Sequence, residues 1–91
     1  MQDEPEFPSI EIHALFRMVD RRIIRNNYKP VETIASKIRL DELRAKYDSR
    51  ITIKKLLLRL RKWGFVSFHG KSLNVASATD FGVNAVGKYF R

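Results

Sequence analysis

One stretch limits what this chain can become: residues 48–64, where Ile53, Leu56, Leu57, Leu60 and Trp63 recur at i, i+3, i+4, i+7 and i+10. That spacing marks a single apolar stripe on a helix, so one side of the element has to be buried. Lys55, Arg59 and Lys62 run along the opposite side, with Arg50, Lys54 and Arg61 on its flanks and Thr52 near its start. From Ser49 to Thr79 there is no Asp or Glu, while Arg50, Lys54, Lys55, Arg59, Arg61, Lys62 and Lys71 all fall inside that window. A segment that concentrates cations and excludes acids suits a polyanion as its partner.

Gly64 ends this helix, because glycine most easily takes the left-handed conformation that follows a helix C-terminus. Residues 65–69 and 72–76 then form two short runs, in which Val66, Phe68, Leu73 and Val75 alternate with Ser67, His69, Ser72 and Asn74 around Gly70 and Lys71. The alternation predicts a tight β-hairpin. A basic helix running into such a hairpin resembles the recognition helix and wing of winged-helix DNA-binding domains. The pattern T-I-x-x-x-L-x-x-L-x-x-x-G-F-V, carried by Thr52, Ile53, Leu57, Leu60, Gly64, Phe65 and Val66, extends the resemblance.

Upstream, residues 1–8 hold two prolines and three acids without periodicity, which predicts a mobile acidic arm. Ser9 is placed to cap a long first helix over residues 9–25, with Ile12, Leu15, Phe16, Val19 and Ile23 inside. Asn26, Asn27 and Pro30 break it, and Pro30 opens one or two helical turns over residues 31–36. Residues 37–40 alternate and read as extended; the resemblance implies a small strand there, paired with the wing. Asp41 is placed to cap a helix over residues 42–47, after which residues 48–50 turn the chain into the basic helix, as a helix-turn-helix requires. An alternative register takes residues 31–38 as the first helix of the motif and residues 39–48 as an insertion. Thr79 is placed to cap a last helix over residues 80–90. The expected fold is mostly α with a small antiparallel β-hairpin (α+β), a winged helix-turn-helix in the order α-α-β-α-α-β-β-α, with residues 9–91 as one domain.

The 91 residues carry 18 Lys and Arg against 10 Asp and Glu, and three of the acids lie in the expected arm. The body is therefore more basic than the formal charge of +8 indicates. Without cysteine there is no disulfide and no thiolate site. No apolar run reaches the roughly 18 residues of a membrane span, and the acidic, proline-bearing start is unlike a signal peptide. A cytoplasmic, nucleoid- or plasmid-associated protein is expected. Catalysis needs groups that converge, yet His13 and His69 lie outside any metal-ligand spacing and the acids are scattered singly. A binding protein rather than an enzyme follows, with neither metal nor cofactor. His13 reads as a helix-edge residue and Trp63 as an anchor at the edge of the core.

The resemblance implies roles for particular residues. Arg50, Thr52, Lys54 and Lys55 would meet base edges or the groove, Ser49 and Arg59 would meet phosphates, and His69 and Lys71 at the wing tip would reach the adjacent groove. The whole arrangement is similar to small dimeric transcriptional regulators such as the PadR-like group, and to the small centromere-binding adaptors that archaeal plasmids use in DNA segregation. Either likeness implies double-stranded DNA as partner, with a palindromic site; the second adds a partition protein. Apolar residues to spare, Ile10 and Ile24 on the first helix and Val83, Val86, Tyr89 and Phe90 on the last, predict a homodimer through those helices, with Gly87 allowing close approach. Two other classes stay open: a protein-interaction winged helix and an RNA-binding protein.

Overall fold

A computed structural model describes residues 4–90, so the first three residues of the expected arm, and Arg91, lie outside the described residues. The elements are α1 (Ile10–Asp20), β1 (Lys29–Pro30), α2 (Val31–Lys37), α3 (Leu40–Tyr47), α4 (Ile53–Lys62), β2 (Val66–Phe68), β3 (Val75–Ala78) and α5 (Asp80–Val86), followed by a 3-10 turn at Gly87–Tyr89. Among the described residues the fold is thus mixed α+β, its helices packed around an antiparallel sheet of order β1-β3-β2.

Hydroxyl caps start three of the helices. Ser9 Oγ accepts the Ile12 N–H at 3.3 Å, Thr52 Oγ1 that of Lys55 at 3.2 Å and Thr79 Oγ1 that of Gly82 at 3.0 Å. α1 stops at Asp20 instead of running to residue 25, because Arg22 turns left-handed at φ 63°. The Ile23 N–H then reaches back to the Met18 carbonyl at 2.9 Å, and Ile23 drops into the core, wholly buried.

The first strand is Lys29–Pro30, not residues 37–40. Proline pushes its predecessor into extended backbone and has no N–H to donate, both of which suit a sheet edge. Lys29 pairs with Ala76 and Pro30 with Val75. Residues 37–40 instead join α2 to α3 through Arg39, left-handed at φ 54°. Ile38 and Leu40, which look like alternate positions of a strand, are both buried because two helix ends meet there. Asp41 consequently lies in the first turn of α3 and does not cap it. The order is α-β-α-α-α-β-β-α.

The hairpin loop is longer than a turn at Gly70 and Lys71. β3 begins at Val75, not Ser72, since the His69 N–H donates to the Val75 carbonyl at 2.9 Å and Leu73 takes a left-handed φ of 56°. Val66 then faces Ala78 and Phe68 faces Ala76. As the central strand, β3 has little room for side chains, and Ala76, Ser77 and Ala78 are all wholly buried. Close packing also explains Gly82, where an added Cβ would sit 2.3 Å from the Phe65 carbonyl oxygen. Gly87, expected to allow close helix approach, meets nothing within 4 Å.

In the segment expected to stand off as an arm, Phe7 is packed on the body and Glu4 is hydrogen-bonded to it, while Pro5, Glu6 and Pro8 are exposed. Phe7 is 9% exposed, its ring centroid 4.3 Å from that of His13 and 4.7 Å from that of Tyr89. His13 is 2% exposed and so sits inside rather than at a helix edge. Burial pushes its pKa down, against the pull of Glu4, which leaves the imidazole neutral. In that state Nε2–H donates to Glu4 Oε1 at 2.9 Å and Nδ1 accepts the Tyr47 hydroxyl at 3.0 Å. Hydrogen bonds from Arg17, at 2.8 and 3.1 Å, hold the Glu4 carboxyl at about 2 despite the opposing effect of burial.

Both shifts have one sign. The unfolded chain takes up protons that the folded chain refuses, so this stabilisation is complete above the ordinary values of 6.5 for His13 and 4.5 for Glu4 and drains away as pH falls below them. No helix among the described residues is long and apolar enough to cross a membrane. If the N-terminal segment belongs to the core, Phe7→Ala will lower the unfolding free energy by about 3 kcal/mol in urea titrations. An unchanged midpoint would show the segment to be dispensable.

Candidate nucleic-acid interface

The basic helix is oriented by its buried side. Leu56, Leu57 and Leu60 are wholly inaccessible, while Lys54, Lys55, Arg61 and Lys62 are exposed. Gly64, at φ 84°, closes the helix: its own N–H reaches the Arg61 carbonyl and the Phe65 N–H that of Leu60, each at 2.9 Å. α4 rests on α1 and α2 and leads into β2. Contact with α2 is the arrangement that the alternative register calls for, whereas α3 approaches along the chain through residues 48–52. That turn is fastened by Arg44 Nε–H, donated to the Ile51 carbonyl at 2.8 Å, and by the Ile51 N–H, donated to Ser49 Oγ at 3.2 Å.

The residues expected to contact DNA fall into three groups. Arg50, Thr52, Lys54 and Lys55 lie together, exposed, at the start of α4, with Thr52 also serving as its cap. His69 and Lys71 are exposed in the hairpin loop, the His69 ring 4.9 Å from that of Tyr28. Between the groups lies Arg61, its guanidinium 5.6 Å from the centre of the Phe68 ring, so the flank of α4 and the hairpin form one surface. No ion-pair partner stands within reach of Arg50, Lys54, Lys55, Arg61, Lys62 or Lys71 among the described residues.

Ser49 and Arg59 form the third group, and both are engaged within the protein. Ser49 is half-buried in the turn, and Arg59 Nη1–H donates at 2.8 Å to Glu11 Oε2, a carboxylate from the first turn of α1. Burial alone would raise the Glu11 pKa. The Arg59 hydrogen bond, a backbone N–H, Ser9 and the Arg59 charge together outweigh it and hold the group below its ordinary value. Arg59 therefore fastens α4 to α1 while its side chain stays 57% exposed, and Lys62, on the same face and missing from the expected contacts, has no ion-pair partner among the described residues. The i+7 spacing from Lys55 is the signal that marks it.

Trp63 is not a core anchor. It is 45% exposed and makes a surface row with Phe65 and Phe81, at centroid separations of 6.2 and 5.3 Å. The residues expected at a dimer interface are also placed differently. Ile10 and Val86 belong to the core of the subunit, Ile24 and Val83 are half-buried, and Tyr89 packs on Phe7 and Phe16. Phe90 stacks on Phe16 at 4.4 Å yet stays 39% exposed.

Removing Arg59 would strand a buried carboxylate. Arg59→Ala will cost about 1–3 kcal/mol of stability at neutral pH, and the deficit will shrink as pH falls below the ordinary carboxylate value of 4.5 and through the lower value at which Glu11 takes up its proton. Urea titrations at neutral and acid pH measure it; a deficit independent of pH would mean that the ion pair contributes nothing. Comparison of the chain with protein-family models, with curated proteins and with solved structures finds no match in any of the three.

Proposed function

We propose that the protein binds double-stranded DNA sequence-specifically as a winged helix, with α4 in the major groove and the β2–β3 hairpin on the adjacent groove. The observation that carries this is the row of exposed, unpaired cations on a helix whose rotation the core fixes. At 10 residues, α4 is about 15 Å long and fits a groove roughly 12 Å wide. Arg50, Thr52, Lys54 and Lys55 at its N-terminal end are the candidates for base edges; Lys62 and Arg61 further along, with His69 and Lys71 on the hairpin, suit phosphates. In this reading the chain is a two-fold dimer on a palindromic site, acting as a transcriptional regulator or as a centromere-binding segregation protein. Binding is its activity, without a cofactor.

If about six phosphates are neutralised, the logarithm of affinity falls against that of salt with a slope of about −5, roughly a thousandfold between about 50 and 200 mM. Lys55→Ala should lose about 1–3 kcal/mol on a preferred duplex and relax its specificity, whereas Lys62→Ala should weaken all duplexes alike and reduce the slope by about 1. Fluorescence anisotropy with labelled duplexes reads both, and weak binding indifferent to salt would defeat the proposal. Light scattering should give twice the 10.7 kDa mass of the chain, with Phe90→Glu shifting it towards one copy. A monomer both free and on DNA would remove the dimer from the reading.

A further inference from the structure

Phosphate contacts on α4 leave one surface unused. Trp63 at 45% exposure and Phe81 at 62% flank the half-buried Phe65 just beyond the last turn of the basic helix. Burying a side chain of this size is worth about 2 kcal/mol, so a contiguous aromatic row held in water points to a partner.

The row is rigid. The Phe65 N–H and carbonyl are both used, by the Leu60 carbonyl and the Thr79 N–H at 2.9 Å each, and Gly82 packs against the same carbonyl. The Phe81 ring packs beside Gly64, 3.6 Å from where a Cβ would stand. Charge selects the occupant. Lys62 adjoins Trp63 in the chain, the Arg59 charge is matched by Glu11, and Asp80, beside Phe81, is paired with Arg25. A second copy docking here would bring two strongly basic α4 ends close together. An unpaired nucleotide carries a flat apolar base for the rings and a phosphate for the lysine.

We propose that Trp63, Phe65 and Phe81 stack unpaired bases of a DNA strand that runs on from the duplex held by α4. The site rests on the duplex reading for its anchor and deepens it: the preferred target is a duplex carrying a single-stranded extension or opened pairs. The chain has one tryptophan, so Trp63 emission reports the site directly.

The test compares a blunt duplex with the same duplex bearing a short thymidine tail, by Trp63 fluorescence and by anisotropy of a labelled strand. The tail should quench Trp63 and raise affinity about tenfold, while the blunt duplex leaves the emission nearly unchanged. Phe81→Ala should remove the advantage and Phe81→Tyr keep it, with blunt-duplex affinity equal to that of the unmodified protein. Salt-sensitive duplex binding with no effect of the tail overturns the stacking site alone; absence of binding to either duplex overturns both readings. Emission that shifts with protein concentration in the absence of DNA assigns the row to a second copy, and quenching by a ribonucleotide tail alone assigns it to RNA; either result overturns the proposal.

Discussion

Burial of Leu56, Leu57 and Leu60 sets the rotation of α4 about its own axis, and with it the direction of every cation on that helix. Three wholly buried leucines are worth roughly 2 kcal/mol each in area removed from water. Like charges a turn apart on the outer side oppose helix formation by only about 0.2–0.5 kcal/mol per pair. The core thus wins easily, and a basic face relieved among the described residues only at Arg59, by Glu11, persists as a consequence. The Thr52 cap and the left-handed Gly64 fix where this face begins and ends.

Several acids of the described chain are held in ion pairs. Glu4 is taken by Arg17 and His13, Glu11 by Arg59, Glu42 by Arg17 and Arg39, and Asp80 by Arg25. These pairs join α1 to the N-terminal segment, to α3, to α4 and, through Arg25, to α5. Outside α4 and the hairpin, Arg21, Arg22, Lys29, Lys37 and Lys88 also lack an ion-pair partner among the described residues. What sets α4 apart is that its cations stand in one row, within a stretch from Ser49 to Thr79 that holds no acid.

What could be read from the residues was local. Ser9 and Thr79 announce helix starts because the cap depends on a few neighbouring atoms, and Gly64 announces an end for the same reason, whereas Asp41 falls inside α3 and Thr52, not Asp41, is a cap. The basic face was legible from spacing alone. Choices made by distant partners were not. Nothing near residue 29 shows that Lys29 will pair with Ala76, and the alternation at residues 37–40 is equally that of two helix ends meeting at a left-handed arginine. Phe7 looks like part of an acidic tail until His13, Phe16 and Tyr89 close around it. Trp63 fits the apolar spacing of α4 but falls one turn past Leu60, where the core has already ended.

Pro30 has a consequence beyond placing β1. The sheet ends on one side with a strand of two residues whose proline offers no N–H, and on the other with a strand of three. A neighbouring chain finds little backbone on which to build a further strand. Two copies of the chain would therefore meet more readily through side chains than through a shared sheet. Ribbon-like growth by strand addition has little backbone to start from at either edge.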